Sequence, residues 1–131
     1  MMNRFIEVLK DCEDLDTLKG ASTNQISEAE IQLNVSFSGE YREYLEAFGI
    51  ASANGHEFTG ICNSPRLNVV EVTCAARKLM PSVPRGYYVV ERTGIDGIII
   101  WQDVSGTILM TQPHREASVL SHSLAEYFCN V

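Results

Sequence analysis

Three histidines, four cysteines and an excess of carboxylates are the chemistry-bearing side chains of this 131-residue chain. A zinc site draws three or four Cys, His or carboxylate ligands, usually with at least one close pair in sequence. His56, His114 and His122 have no metal-ligand partner at i+3 or i+4, and Cys12, Cys62, Cys74 and Cys129 form no C-x-x-C pair. A metal site would have to be assembled wholly from tertiary contacts, so none is expected. The widely spaced cysteines read as buried free thiols rather than disulfides. His56 and Cys62 could in principle form a Cys–His nucleophilic pair. No orienting third group or oxyanion-hole signature accompanies them, and the plain reading of His56 is a surface loop histidine. Asp96-Gly97 and Asp103-x-Ser105-Gly106 lack the oxygen-ligand spacing of a calcium loop and read as turns. Gly94, Gly97 and Gly106 are followed by no Lys-Ser/Thr pair, so no phosphate loop is signalled. No cofactor is implied, and the chain reads as a non-enzyme.

The carboxylates remain. Residues 1–57 hold eleven Asp/Glu against four Lys/Arg, whereas residues 58–131 hold six against six, so the whole net charge of −7 lies in the first part. Nucleic-acid binding draws its affinity from Lys and Arg neutralising phosphates, and an acidic domain opposes it. The same field speeds encounter with a basic protein partner. The plain alternative is solubility and support of helix N-termini.

The elements that position these groups follow from periodicity. Phe5, Val8, Leu9 and Cys12 form a helical stripe, predicting a helix over residues 3–13. A polar linker, Gly20 to Gln25, follows. Ser27 with Glu30 has capping-box spacing and predicts a second helix carrying Ile26, Ala29 and Leu33. Ser38 caps a third, whose apolar face is Tyr41, Tyr44, Leu45 and Phe48 and whose end is Gly49 in a left-handed conformation. A short strand is read at Glu57 to Ile61 and a helix at Leu67 to Met80, closed by Pro81. From Gly86 the period changes to β: Gly86–Arg92, Ile98–Gln102 and Thr107–Gln112 are separated by hairpin-length intervals, predicting an antiparallel meander. Ile98-Ile99-Ile100-Trp101 lacks alternation and suits a central strand covered on both faces. Tyr87 and Tyr88 must face opposite sides, so one is nearer the surface. Ser123 and Glu126 cap a short C-terminal helix. The length suits one domain, 1–131, of α+β class: an antiparallel β-meander packed with helices from the N-terminal half and a short C-terminal helix. Neither a signal peptide nor a membrane-length apolar run is read, and the expectation is a cytoplasmic, reduced protein.

This order of elements resembles the SUKH superfamily. Ile26-Ser27-x-x-Glu30-x-x-Leu33 and Tyr41-x-x-Tyr44-Leu45-x-x-Phe48-Gly49 look like its signature helix pair. Gly97-Ile98, Trp101, Asp103 and Gly106 look like its strand-turn-strand, and Ser123-Leu124-x-x-Tyr127-Phe128 like its closing helix. The chain departs from the pattern at Phe37-Ser38-Gly39, where members usually place Leu-Pro, and at Gly49-Ile50, where they often place Gly-Gly. The resemblance implies a non-enzymatic binding domain, commonly an immunity protein that neutralises a polymorphic toxin, often a nuclease. A fungal branch regulates cell-wall synthesis, which implies as alternative an intracellular scaffold or peptide-binding domain; a small enzyme using Cys62 and His56 is the further one. On the immunity reading the expected contacts with a cognate toxin domain are Glu40, Glu43, Glu46, Glu57, Asp96 and Asp103. They fall on helix faces or loops, where carboxylates can mimic the phosphates a nuclease groove receives.

Overall fold

The computed structural model describes residues 3–130. Helix α1 (Arg4–Lys10) starts where Asn3 Oδ1 accepts the Ile6 amide at 2.9 Å, and it buries Phe5, Ile6 and Leu9. It stops before the acidic run, three residues short of the sequence expectation, and Asp16–Thr17 forms a two-residue strand, β1. Helix α2 (Thr23–Leu33) begins within the segment read as a linker. Its capping box is Ser22 with Gln25, which exchange bonds of 3.1 and 2.8 Å. The same spacing at Ser27 and Glu30 lies inside the helix, and the Glu30 carboxylate instead accepts the Phe37 amide at 2.8 Å and pairs with Arg42 at 2.6 Å. Helix α3 (Gly39–Phe48) follows the sequence closely: Ser38 Oγ accepts the Tyr41 amide, and Tyr41, Tyr44, Leu45 and Phe48 are buried. Gly49 ends it at φ +71° with ψ −63°, a positive φ outside the left-handed helical region.

Strands β2 (Ala51–Ala53) and β3 (His56–Phe58) make a hairpin across Asn54 and Gly55, both at positive φ. Helix α4 (Val69–Leu79) is capped by Asn68. Strands β4 (Tyr88–Arg92), β5 (Ile99–Gln102), β6 (Ile108–Thr111) and β7 (Ser118–Ser121) precede α5 (Leu124–Cys129), whose cap is Ser123. The expected three-strand meander is part of a seven-stranded antiparallel sheet in chain order, β1 to β7. The fold is α+β, a meander packed with helices from the N-terminal half and closed by a short C-terminal one.

Side chains alternate across the sheet. Tyr88, Val90 and Ile100 join the main core with α1, α2, α3 and α5, while Val89, Ile99 and Trp101 form a smaller core with Val72 and Ala76 of α4. All four residues of β5 are buried, as its unbroken apolar run predicts. Tyr88 is buried and Tyr87 half-buried. The thiols are free but not buried: Cys12 and Cys62 are half-exposed and Cys74 and Cys129 exposed, because the helices carrying the latter two turn them away from the core.

Candidate functional site

The six carboxylates expected to meet a partner fall in different surroundings. On α3, Glu40 is half-buried, and both its oxygens are engaged: Oε1 accepts the Leu124 amide at 2.6 Å and Gln102 Nε2 at 3.0 Å, and Oε2 accepts the Ala125 amide at 3.1 Å. Glu43 is exposed and accepts one bond, from Asn3 Nδ2 at 3.0 Å. Glu46 is exposed and its carboxylate takes no hydrogen bond among the described residues. Glu57 holds the Arg66 guanidinium through two bonds of 2.6 and 2.9 Å, and that contact pulls its pKa below the usual carboxylate range. Asp96, at φ +51°, stands exposed in the β4–β5 turn. Asp103 Oδ1 is spent on the β5–β6 turn, accepting the Ser105 amide at 3.1 Å, the Ser105 hydroxyl at 2.6 Å and the Thr107 amide at 3.3 Å. Glu40 and Asp103 share one end of β5, through Gln102, while Asp96 marks the other end. Glu46 and Asp96 therefore stand exposed with a carboxylate that takes no hydrogen bond among the described residues, and Glu43 stands exposed with one oxygen taken by Asn3.

Gln102 is the hub of a buried polar web that sequence reading missed. Its Oε1 accepts the hydroxyls of Tyr88 at 3.0 Å and Ser38 at 3.1 Å, and its Nε2 donates to Glu40 and to the Gly106 carbonyl. Burial pushes the phenols of Tyr41, Tyr44 and Tyr88 well above their ordinary range.

His56 is no loop residue. It lies in β3 with its ring stacked 5.5 Å from Phe58, and its Nδ1 sits 2.9 Å from Glu91 Oε1. Glu91, buried in β4, also accepts the Tyr127 hydroxyl at 2.6 Å and the Glu57 amide at 3.1 Å. Cys62 Sγ instead faces the Ser64 carbonyl at 3.6 Å. His56 and Cys62 are thus engaged with different partners and form no nucleophilic pair. A sequence signal for this triad was present in Glu91, a lone carboxylate ending the apolar run Tyr88-Val89-Val90. Among the described residues no group of three His, Cys, Asp or Glu could hold a metal ion.

A groove of about 760 Å³ opens between the C-terminal end of α4 and the β4–β5 turn. Leu79, Met80, Ile98, Ile99 and Pro113 form its apolar wall, and Glu57, Arg66, Arg92 and His114 its polar margin. No helix among the described residues is long and apolar enough to cross a membrane.

Among curated proteins, none matches the chain. A solved structure, described as the crystal structure of a protein from Pseudomonas syringae pv. tomato, shares the fold with a TM-score of 0.77 at 19% identity, over 99% of this chain and 97% of that one. The family profile SUKH_5, described as SMI1-KNR4 cell-wall, matches residues 2–129. With nearly every residue inside that match, the chain belongs to the SUKH_5 branch of the SMI1-KNR4 family.

Proposed function

We propose that this protein is an immunity protein that binds a cognate toxin domain, one acting on nucleic acid, and neutralises it without catalysis. Family membership carries this reading. The concentration of all the net negative charge in residues 1–57 supports it, since a nuclease presents basic side chains to phosphates. Glu43, Glu46 and Asp96 are the contacts with outward carboxylates, Glu57 contributes through its pair with Arg66, and Glu40 and Asp103 serve the interface by fixing the backbone around them. The protein acts in the cytoplasm, where such a toxin meets its substrate. The family's cell-wall description favours, as second reading, a scaffold domain that binds a regulatory protein.

The test is co-purification with any toxin C-terminal domain found encoded beside this protein's gene, followed by calorimetric titration at two salt concentrations. One-to-one binding that weakens with salt and protects cells from that domain is the expected result. Absence of binding and of protection would remove the immunity reading.

A further inference from the structure

The acidic α3 face accounts for steering toward a basic partner, but not for the apolar groove, which Glu57 lines and whose bordering β4–β5 turn carries Asp96. The groove has the size of a small-molecule or side-chain pocket, with an apolar wall and few polar groups. Leu79 on its wall is 72% exposed, and Ile95, in the turn between the lining residues Gly94 and Gly97, is 63% exposed. Two large aliphatic side chains thus stand exposed beside one concavity, apolar surface that an interaction site would cover. Charge narrows the occupant. Glu57 is neutralised by Arg66, which leaves the Arg92 guanidinium, exposed and without an ion pair among the described residues, as the uncompensated charge of the lining. Exposed Lys78 and Arg115 adjoin the lining residues Leu79 and His114; Asp96 and Glu116 are the opposing carboxylates nearby in sequence. Outside the Glu57–Arg66 pair that makes three cations against two carboxylates, a local excess of one positive charge on a chain of net charge −7.

We propose that the groove docks an apolar segment of the protein partner that carries a carboxylate, with an aliphatic or aromatic side chain between Leu79 and Ile98 and the carboxylate on Arg92. This rests on the reading of the chain as a protein-binding domain and adds a second, oppositely charged contact to the acidic face. Arg is among the side chains enriched at interface hot spots, which cluster in well-packed, desolvated pockets.

The test is amide NMR titration of the full chain with a blocked peptide of alternating leucine and glutamate, and with its lysine counterpart. Shifts confined to the groove for the glutamate peptide, at least tenfold weaker for the lysine peptide and for Arg92→Glu or Leu79→Ser, are the expected result. Both substitutions are at exposed positions, and unchanged spectra elsewhere verify the fold. Equal response to both peptides, or none to either, overturns the proposal. Groove shifts that grow on concentrating the protein alone assign the slot to a second copy and also overturn it. Because the peptides replace the toxin domain, failure of the immunity reading leaves this result standing. Toxin binding unaffected by Arg92→Glu and Leu79→Ser would refute the groove while leaving the immunity reading intact.

Discussion

Glu40, in the first turn of α3, grips the first turn of α5 across 84 residues of chain: its Oε1 accepts the Leu124 amide at 2.6 Å and its Oε2 the Ala125 amide. Those amides have no intrahelical acceptor, and the Ser123 hydroxyl takes the Glu126 amide, so one carboxylate and one hydroxyl satisfy the opening turn of α5. The negative charge also suits the positive end of the helix dipole.

Replacing Glu40 with Gln keeps the size but turns an amide N–H₂ toward N–H groups that need an acceptor. The expected cost is about 1–3 kcal/mol, the penalty for a buried donor left unpaired. It should appear as a lowered urea midpoint, with faster hydrogen exchange concentrated in α5. Glu46→Gln on the same helix, where no bond is lost, should stay within about 0.5 kcal/mol of the parent. Equal effects of the two would mean that Glu40 does not hold α5.

Glycine is required where loops cross. A Cβ on Gly60 would lie 1.7 Å from the Gly49 carbonyl oxygen, which itself accepts the Ile61 amide at 3.0 Å, so neither backbone can yield cheaply. Gly60→Ala should therefore cost ~3 kcal/mol, the upper end of overpacking penalties. Gly39, at the first position of α3, is open on the side where a methyl would stand, with no atom within 4 Å of it, and Gly39→Ala should stabilise by about 0.4–1 kcal/mol by restricting the unfolded chain. Paired thermal unfolding of the two variants checks both signs.

Much of this fold is legible in local pattern. The α3 face and its Ser38 cap, the unbroken run of β5 and the Ser123 cap each rest on residues within a few positions of one another. What failed to show did so for physical reasons. Strands β1 and β2 consist of Asp-Thr and Ala-Ser-Ala, too short and too small to carry a period. Most of β7 is exposed, so no burial alternates along it. Two equally spaced Ser–acceptor pairs compete for the start of α2: Ser22 with Gln25 forms the box, while Glu30 bonds to Phe37 and Arg42 instead of closing one with Ser27. Of the site, the outward position of Glu43 and Glu46 follows from helical spacing. The engagement of Glu40 does not, because its partners come from the far end of the chain. The groove was likewise invisible, being walled by α4, the β4–β5 turn and the segment at Pro113.

Alkaline pH should expose the buried tyrosines. In the folded protein the phenols of Tyr41, Tyr44, Tyr88 and Tyr127 are raised, chiefly by burial, and Tyr127 is pushed further by its bond to the Glu91 carboxylate. Unfolded tyrosine titrates near pH 10, roughly. A raised folded value means that the native state retains protons the unfolded chain releases, so this stability is fully present below about pH 10 and is lost as pH rises beyond it. Each such tyrosine contributes a slope of about 1.4 kcal/mol per pH unit. Urea midpoints should be level below that point and fall steeply above it, with the tyrosinate absorbance of these four residues appearing together with unfolding. Tyr127→Phe should make the fall shallower; a folded-state tyrosinate signal larger than the half-buried Tyr87 alone can give would contradict the burial argument.

Glu91 gives the sharpest test of what the His56 cluster is for. Only 4% exposed, it gathers the Tyr127 hydroxyl from α5, the Glu57 amide and the His56 ring from β3, so a single carboxylate ties the terminal helix to the sheet hairpin. Removing the acceptor with Glu91→Leu leaves the Tyr127 hydroxyl, the Glu57 amide and the His56 ring nitrogen without their shared partner, and the expected loss is about 1–3 kcal/mol for each buried group left unsatisfied. Tyr127→Phe removes a single hydroxyl and should cost about 0.5–1.5 kcal/mol, with some recovery of the carboxylate by the remaining donors. Because the three donors share one acceptor, the double variant Glu91→Leu with Tyr127→Phe should be less damaged than the sum of the two. Additive losses would mean that Tyr127 stabilises α5 through its ring against His56 and not through its hydroxyl, and that the cluster is an aromatic contact rather than a carboxylate-centred tie.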